Sequence, residues 1–149
     1  MNVSTIMNPN PVTLSVTETF GAALALMRDR RVRVLPVVDL QGVYQGTFDF
    51  HDVWKTLLPK AVLLGMDSLT DLSFVSDAKD ILTEKLAEAS TRSVGEFLDV
   101  PIEPIHPETP VKEAMLLFYQ HDGDIPVVDR KTKRLVGIVS PWEIIDSLR

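Results

Sequence analysis

The pentapeptide Leu35-Pro36-Val37-Val38-Asp39 returns ninety positions later as Ile125-Pro126-Val127-Val128-Asp129. A duplicated unit commits the chain to two copies of one small architecture, provided the flanks repeat in register as well. They do. Upstream, Phe20, Ala23, Leu24 and Met27 answer to Val111, Ala114, Met115 and Phe118, each set the i, i+3, i+4, i+7 stripe of a helix with one buried face. Downstream, Gly46-Thr47-Phe48-Asp49-Phe50-His51-Asp52 answers to Gly137-Ile138-Val139-Ser140-Pro141-Trp142-Glu143. Each copy reads as helix, apolar strand, turn, second strand, glycine and helix start. A unit of under sixty residues buries too little apolar surface to be comfortably stable alone, so the two copies are expected to pack on each other. Function is then to be sought at their seam.

In chain order, Val3 to Met7 reads as a short helical lead-in, and Asn8-Pro9-Asn10-Pro11 as a turn cluster in which each proline keeps its predecessor out of the α region. A strand over Val12 to Leu14 precedes the first helix, Thr19 to Arg30, with Thr17 or Thr19 as its cap. Val34 to Val38 and Val43 to Phe48 form a hairpin around Asp39 to Gly42. Pro36 lacks a backbone donor and is expected at a strand start or sheet edge. A helix opens at Asp49 and carries Val53, Trp54, Leu57 and Leu58 inward before Pro59. Residues 60–93 match neither copy and read as mostly helical, because a structureless loop of that length is unusual in a compact chain. There Ser76 is the expected cap, and Ala78, Ile81, Leu82, Leu86 and Ala89 the buried stripe. The second copy starts at Val94, caps its first helix with Thr109 ahead of Pro110, pairs Ile125–Val128 with Leu135–Val139, and closes with a helix from Ser140. The expected organisation is a first repeat over 1–59, a helical insert over 60–93 and a second repeat over 94–149.

With 45% hydrophobic and 24% charged residues the chain has the make-up of a globular domain and not of a disordered one. Apolar runs such as Ala61 to Leu64 fall far short of the roughly 20 residues that span a bilayer, and residues 1–11 lack a signal-peptide pattern. A cytoplasmic, non-membrane location is expected. The absence of cysteine removes disulfides, thiolate nucleophiles and cysteine-ligated metals. A net charge of −6 argues against nucleic acid as an electrostatic partner.

Signs of an enzyme are sparse. His51, His106 and His121 are scattered without ligand spacing, so no metal site is expected, and no glycine-rich phosphate cradle or nucleophile elbow is present. Arg28, Arg30, Arg31 and Arg33 concentrate positive charge at a helix end, where they either form an anion site or simply complement the macrodipole. The two glycine-strand-helix junctions place Asp49 with Asp52, and Ser140 with Glu143, in the first turn of a helix. Unpaired N–H groups and the positive dipole end suit a phosphate there. Equally, Ser140-x-x-Glu143 is a capping box and Asp49 an N-cap.

The doubled pattern of helix, h-P-V-V-D and G-h-h-[ST]-x-x-D resembles a CBS-domain pair, the Bateman module, over Val3 to Pro59 and Val94 to Arg149. The resemblance implies an α/β (α+β) fold of two tandem, pseudo-twofold βαββα repeats packed sheet against sheet with helices outside. It also implies a non-catalytic regulatory module that holds an adenine nucleotide or adenosyl ligand, AMP, ADP, ATP or S-adenosylmethionine, in a cleft between repeats. Association into a disc-like homodimer, and signalling to a separate effector protein, follow from the same resemblance. Carried residue by residue, the phosphate-contacting hydroxyl falls on Ser140 but on a carboxylate, Asp49, in the first copy. The ribose-gripping acid falls on Asp52 and on Glu143, so Ser140 with Glu143 marks the fuller site. Asp49 repels a phosphate unless Arg33 or a metal offsets it, so the first copy is expected to prefer an uncharged adenosyl group or no ligand, and Val12, Ile102 and Ile125 take the strand and apolar positions that hold the base. The alternative is a ligand-independent dimerisation or protein-interaction module, in which the capping boxes only cap.

Overall fold

The computed structural model describes residues 1–58, 79–98 and 103–149. A 3-10 turn, Val3–Thr5, leads into β1 (Leu14–Ser15), α1 (Phe20–Arg30), β2 (Val34–Val38), β3 (Tyr44–Asp49) and α2 (Phe50–Leu57). After α3 (Lys79–Ser90) a second 3-10 turn, Val94–Glu96, leads into α4 (Val111–Gln120), β4 (Ile125–Val128), β5 (Leu135–Val139) and α5 (Pro141–Ser147). Ser76, Ala78, Pro59 and Ile102, each assigned a place from the sequence, lie outside the described residues.

The first sheet runs β1-β2-β3 and the second is the hairpin β4-β5. Among the described residues the second copy's outer strand amounts to one parallel bridge, Ile105 to Val127. The shared aspartate of the repeat is a turn residue in both hairpins. Asp39 Oδ1 accepts from Gln41 and Val43 N–H at 2.8 and 2.9 Å, and Asp129 Oδ1 from Lys131 and Thr132 N–H, both at 2.9 Å. Those donors hold the Asp129 carboxyl below its ordinary value. The hairpins then meet tip to tip, Tyr44 N–H donating to Lys133 C=O and Leu135 N–H to Gly42 C=O, each at 3.0 Å. Gly42 makes this approach with φ 83°, a conformation that disfavours any side chain.

The halves also exchange segments. Val3 is fully buried in the core of the second half with Ile105, Val127, Val139 and Ile144, while Val94 is buried in the first with Phe20, Leu35 and Phe48. Backbone bonds mirror the exchange: Val3 N–H donates to Thr109 C=O at 2.9 Å and Val94 N–H to Glu18 C=O at 2.7 Å. The first turn of α1 is tied in the same manner, Phe20 N–H to Arg92 C=O, and that of α4 by Val111 N–H to Met1 C=O. Each 3-10 turn is too short to bury itself, and it completes the other half's core.

Several expectations need correction. The first strand is Leu14–Ser15 and not Val12–Leu14. Pro36 lies within the middle strand of its sheet and not at an edge. Its missing donor is tolerated because β1 reaches only Val37 and Val38 on that side. Thr109 does not cap α4: its Oγ1 accepts from His106 N–H at 3.0 Å, and Pro110 occupies the cap without a side-chain bond. Trp54 and Leu58 point outward, 54% and 42% exposed. The inward line of α2 is Val53 and Leu57, which leaves Trp54 to stack on Phe50 at 5.6 Å, and Leu58 follows the helix in extended conformation. Met115, Ile81 and Leu82 are likewise exposed, because α4 buries Val111 and Ala114 and α3 meets the first core through Leu86 and Ala89.

Candidate functional site

Two clefts open at the seam, and Asp122 and Gly123 line both. The first, of about 610 Å³, is walled by Arg33 and Val34 at the start of β2, and by Asp49, Phe50, His51 and Trp54 at the start of α2. The chain folds this way because β3 runs antiparallel to β2, with Val34 opposite Asp49, so that the end of one strand delivers the helix start beside the beginning of the other. Gly123, at φ 101°, lines this cleft from the second half.

Of the residues assigned from the sequence, Arg33 and Asp49 come together here. Asp52 lies behind them, only 4% exposed, and the two aspartates close a reciprocal capping box. Asp49 N–H donates to Asp52 Oδ2 at 3.0 Å and Asp52 N–H to Asp49 Oδ1 at 3.3 Å. Burial, followed by the neighbouring Asp49 charge, raises Asp52 to about 6, although the Asp49 N–H works the other way. Asp52 is therefore a carboxyl that changes charge close to neutral pH.

The second cleft, of about 470 Å³, is lined by Glu103, Leu117, His121, Asp124 and Ile125 beside the shared Asp122 and Gly123. Ile125 pairs with Val139, which places it next to Ser140. Ser140 and Glu143 form the second capping box: Ser140 N–H donates to Glu143 Oε2 at 2.7 Å, the Ser140 hydroxyl donates to the same oxygen, and Ser140 Oγ accepts from Trp142 N–H at 3.3 Å. Burial and then the Glu143 charge raise Asp124 above its ordinary value, although neither Ser140 nor Glu143 lines the cleft itself. The two clefts thus differ in charge. Arg33 and His51 face Asp49 and Asp122 in the first, whereas Glu103, Asp122 and Asp124 crowd the second with, among the described residues, only His121 beside them.

Val12 does not join either cleft; it is half-buried against the first core. His106 is engaged with the backbone, its Nδ1 lying 2.8 Å from Val128 C=O. Among the described residues no group of three or more His, Asp or Glu side chains could hold a metal ion, and no helix is long and apolar enough to cross a membrane. Sequence reasoning missed Phe50, His51, Trp54, Glu103, Asp122, Gly123 and Asp124. Part of the signal was present: aligning the two pentapeptides puts Gly123-Asp124 at the register of Arg33-Val34.

A carnitine transport ATP-binding protein, OpuCA, of Listeria monocytogenes is 26% identical over 145 residues, 97% of this chain. The chain spans only 28% of that relative's length. A CBS domain-containing protein of Dictyostelium discoideum is 27% identical over 146 residues, covering 98% of this chain and 90% of the relative. Among solved structures, the CBS-pair protein CBSX2 of Arabidopsis thaliana superposes with a TM-score of 0.73 at 19% identity, over 99% of this chain and 93% of that one. CBSX2 in complex with AMP gives 0.68 at 21% identity, over 99% and 95%. The sequence model of the CBS domain matches residues 3–53 and again 94–149, and the chain belongs to the CBS domain family as a tandem pair.

Proposed function

We propose that the chain is a non-catalytic, cytoplasmic regulatory module that takes an adenine nucleotide or adenosyl ligand in the seam clefts and signals through a homodimer or an effector protein. The observation that carries this reading is the first cleft: a concavity of about 610 Å³ between the repeats, with Arg33 and His51 at its wall and the start of α2 beside them. Complex formation between the similarly folded CBSX2 and AMP supports the ligand class. A phosphate goes to Arg33 in the first cleft, where the guanidinium offsets Asp49. The second cleft, with Glu103, Asp122 and Asp124, repels a polyphosphate and takes a neutral or cationic adenosyl group in preference.

Thermal melts against AMP, ADP, ATP, GTP, NADH and S-adenosylmethionine test the proposal. A ligand at a hundred times its Kd adds about 2.7 kcal/mol, which is about 5 to 11 °C for a chain of this size. A shift confined to adenine compounds is expected. Arg33→Gln should abolish the AMP shift, and Asp124→Asn should weaken that of S-adenosylmethionine. A flat panel at millimolar ligand would favour the second reading, an interaction module without ligand, which the internal closure of both capping boxes supports.

A further inference from the structure

We infer that the groove between the end of α1 and the outer side of α2, which runs on from the first cleft and shares Arg33, Phe50 and Trp54 with it while Arg28 and Arg31 belong to the groove alone, is a binding site for an amphipathic organic anion: a carboxylate, sulfonate or phosphate on an aromatic or branched apolar body. The groove is open to solvent and offers about 540 Å³, within the range of small-molecule sites. Met27 and Val53, both buried, form its floor, and Leu57 and Leu86 extend it toward α3. Phe50 and Trp54, stacked 23° from parallel and exposed, form one wall. Three guanidinium groups, Arg28, Arg31 and Arg33, line the same cavity, and among the described residues that line it none carries a carboxylate.

The dipole of α1 accounts for Arg28 and Arg30 in its last turn, but not for this convergence. Two of the last four carbonyls of α1 already have backbone partners, Arg31 N–H donating to Arg28 C=O and Val32 N–H to Met27 C=O at 3.1 Å. Arg31 and Arg33 follow the helix, and Arg31 sits in the left-handed region at φ 54°. None of the ion pairs among the described residues involves Arg28, Arg31 or Arg33. In a chain of net charge −6, a cavity with three arginines, an apolar floor and an aromatic wall selects an anion with an apolar body.

The site is tested with 8-anilinonaphthalene-1-sulfonate as the probe, in a Trp142→Phe background that leaves Trp54 as the one tryptophan of the chain's two. Saturable quenching of Trp54 is expected, weakened at least tenfold by Arg28→Glu with Arg31→Glu. His51→Gln, which alters only the neighbouring cleft, should leave it unchanged. The uncharged N-phenyl-1-naphthylamine should bind at least tenfold more weakly than the sulfonate. Equal binding of the two probes, or no effect of the arginine changes, overturns the inference and leaves a plain apolar surface. An effect of His51→Gln as large as that of the arginine pair also overturns it, because the probe would then sit in the seam cleft. All three arginines are exposed, so the fold should survive; if the double glutamate variant melts early, Arg28→Gln with Arg31→Gln carries the same comparison.

Discussion

Asp49 and Asp52 each accept the other's backbone N–H, at 3.3 and 3.0 Å, so the residue that faces the first cleft holds in place a buried partner, Asp52, that is 4% exposed. The arrangement caps α2 and also stores a pH dependence in the cleft wall.

With Asp52 raised to about 6, the unfolded chain ionises this group first as pH climbs from about 4 to 6, and the folded state loses stability over that window. The loss is up to about 3 kcal/mol, from roughly two pKa units at 1.36 kcal/mol each. Asp52→Asn keeps an acceptor for Asp49 N–H and cannot ionise. Urea titrations at pH 4 and pH 7 should show the variant gaining on wild type at the higher pH. A gap that stays constant with pH would mean that Asp52 is not the titrating group.

Ser140→Ala removes the hydroxyl that bonds Glu143 and accepts from Trp142 N–H, so it should cost about 0.5–2 kcal/mol by loss of the cap. At roughly 2–4 °C per kcal/mol for a chain of this length, a drop of about 1 to 8 °C is expected in a calorimetric melt.

Gly137 admits no side chain. A Cβ there would lie 2.6 Å from Met7 Sδ and 2.9 Å from Asn8 C=O, and that segment is pinned by Asn8 N–H to Ile138 C=O at 2.9 Å. Gly137→Ala should therefore destabilise by about 1–3 kcal/mol. Adding Met7→Ala should restore only part of this, since the clash with Asn8 backbone remains; a full rescue in denaturant melts would contradict the geometry.

Val3→Ala deletes buried methyl groups from the second half's core, although Val3 is close to the start of the chain, and should cost about 1–3 kcal/mol. Amide hydrogen exchange tells where the loss falls: protection should drop in β4 and β5 more than in β2 and β3.

The duplication was legible because it is written locally. Apolar periodicity fixed α1 and both hairpins, and the aspartate of each pentapeptide acts as the turn residue its chemistry implies. Capping chemistry was equally local, so Thr19, Asp49 and Ser140 were identifiable as caps. On a helix as short as α2, by contrast, the burial of Trp54 depends on a rotation that only its neighbours set.

The sequence alone determined two similar units, their order and the residue types at each strand-to-helix junction, because each depends on neighbours within a few positions. Tertiary structure decided which half each 3-10 turn completes and which residues meet at the seam. It also decided that Asp124 falls near Glu143 while Arg33 falls near Asp49. Those pairings bring together residues from different segments, and burial and charge at a cleft depend on the distances that folding imposes, which no local pattern records.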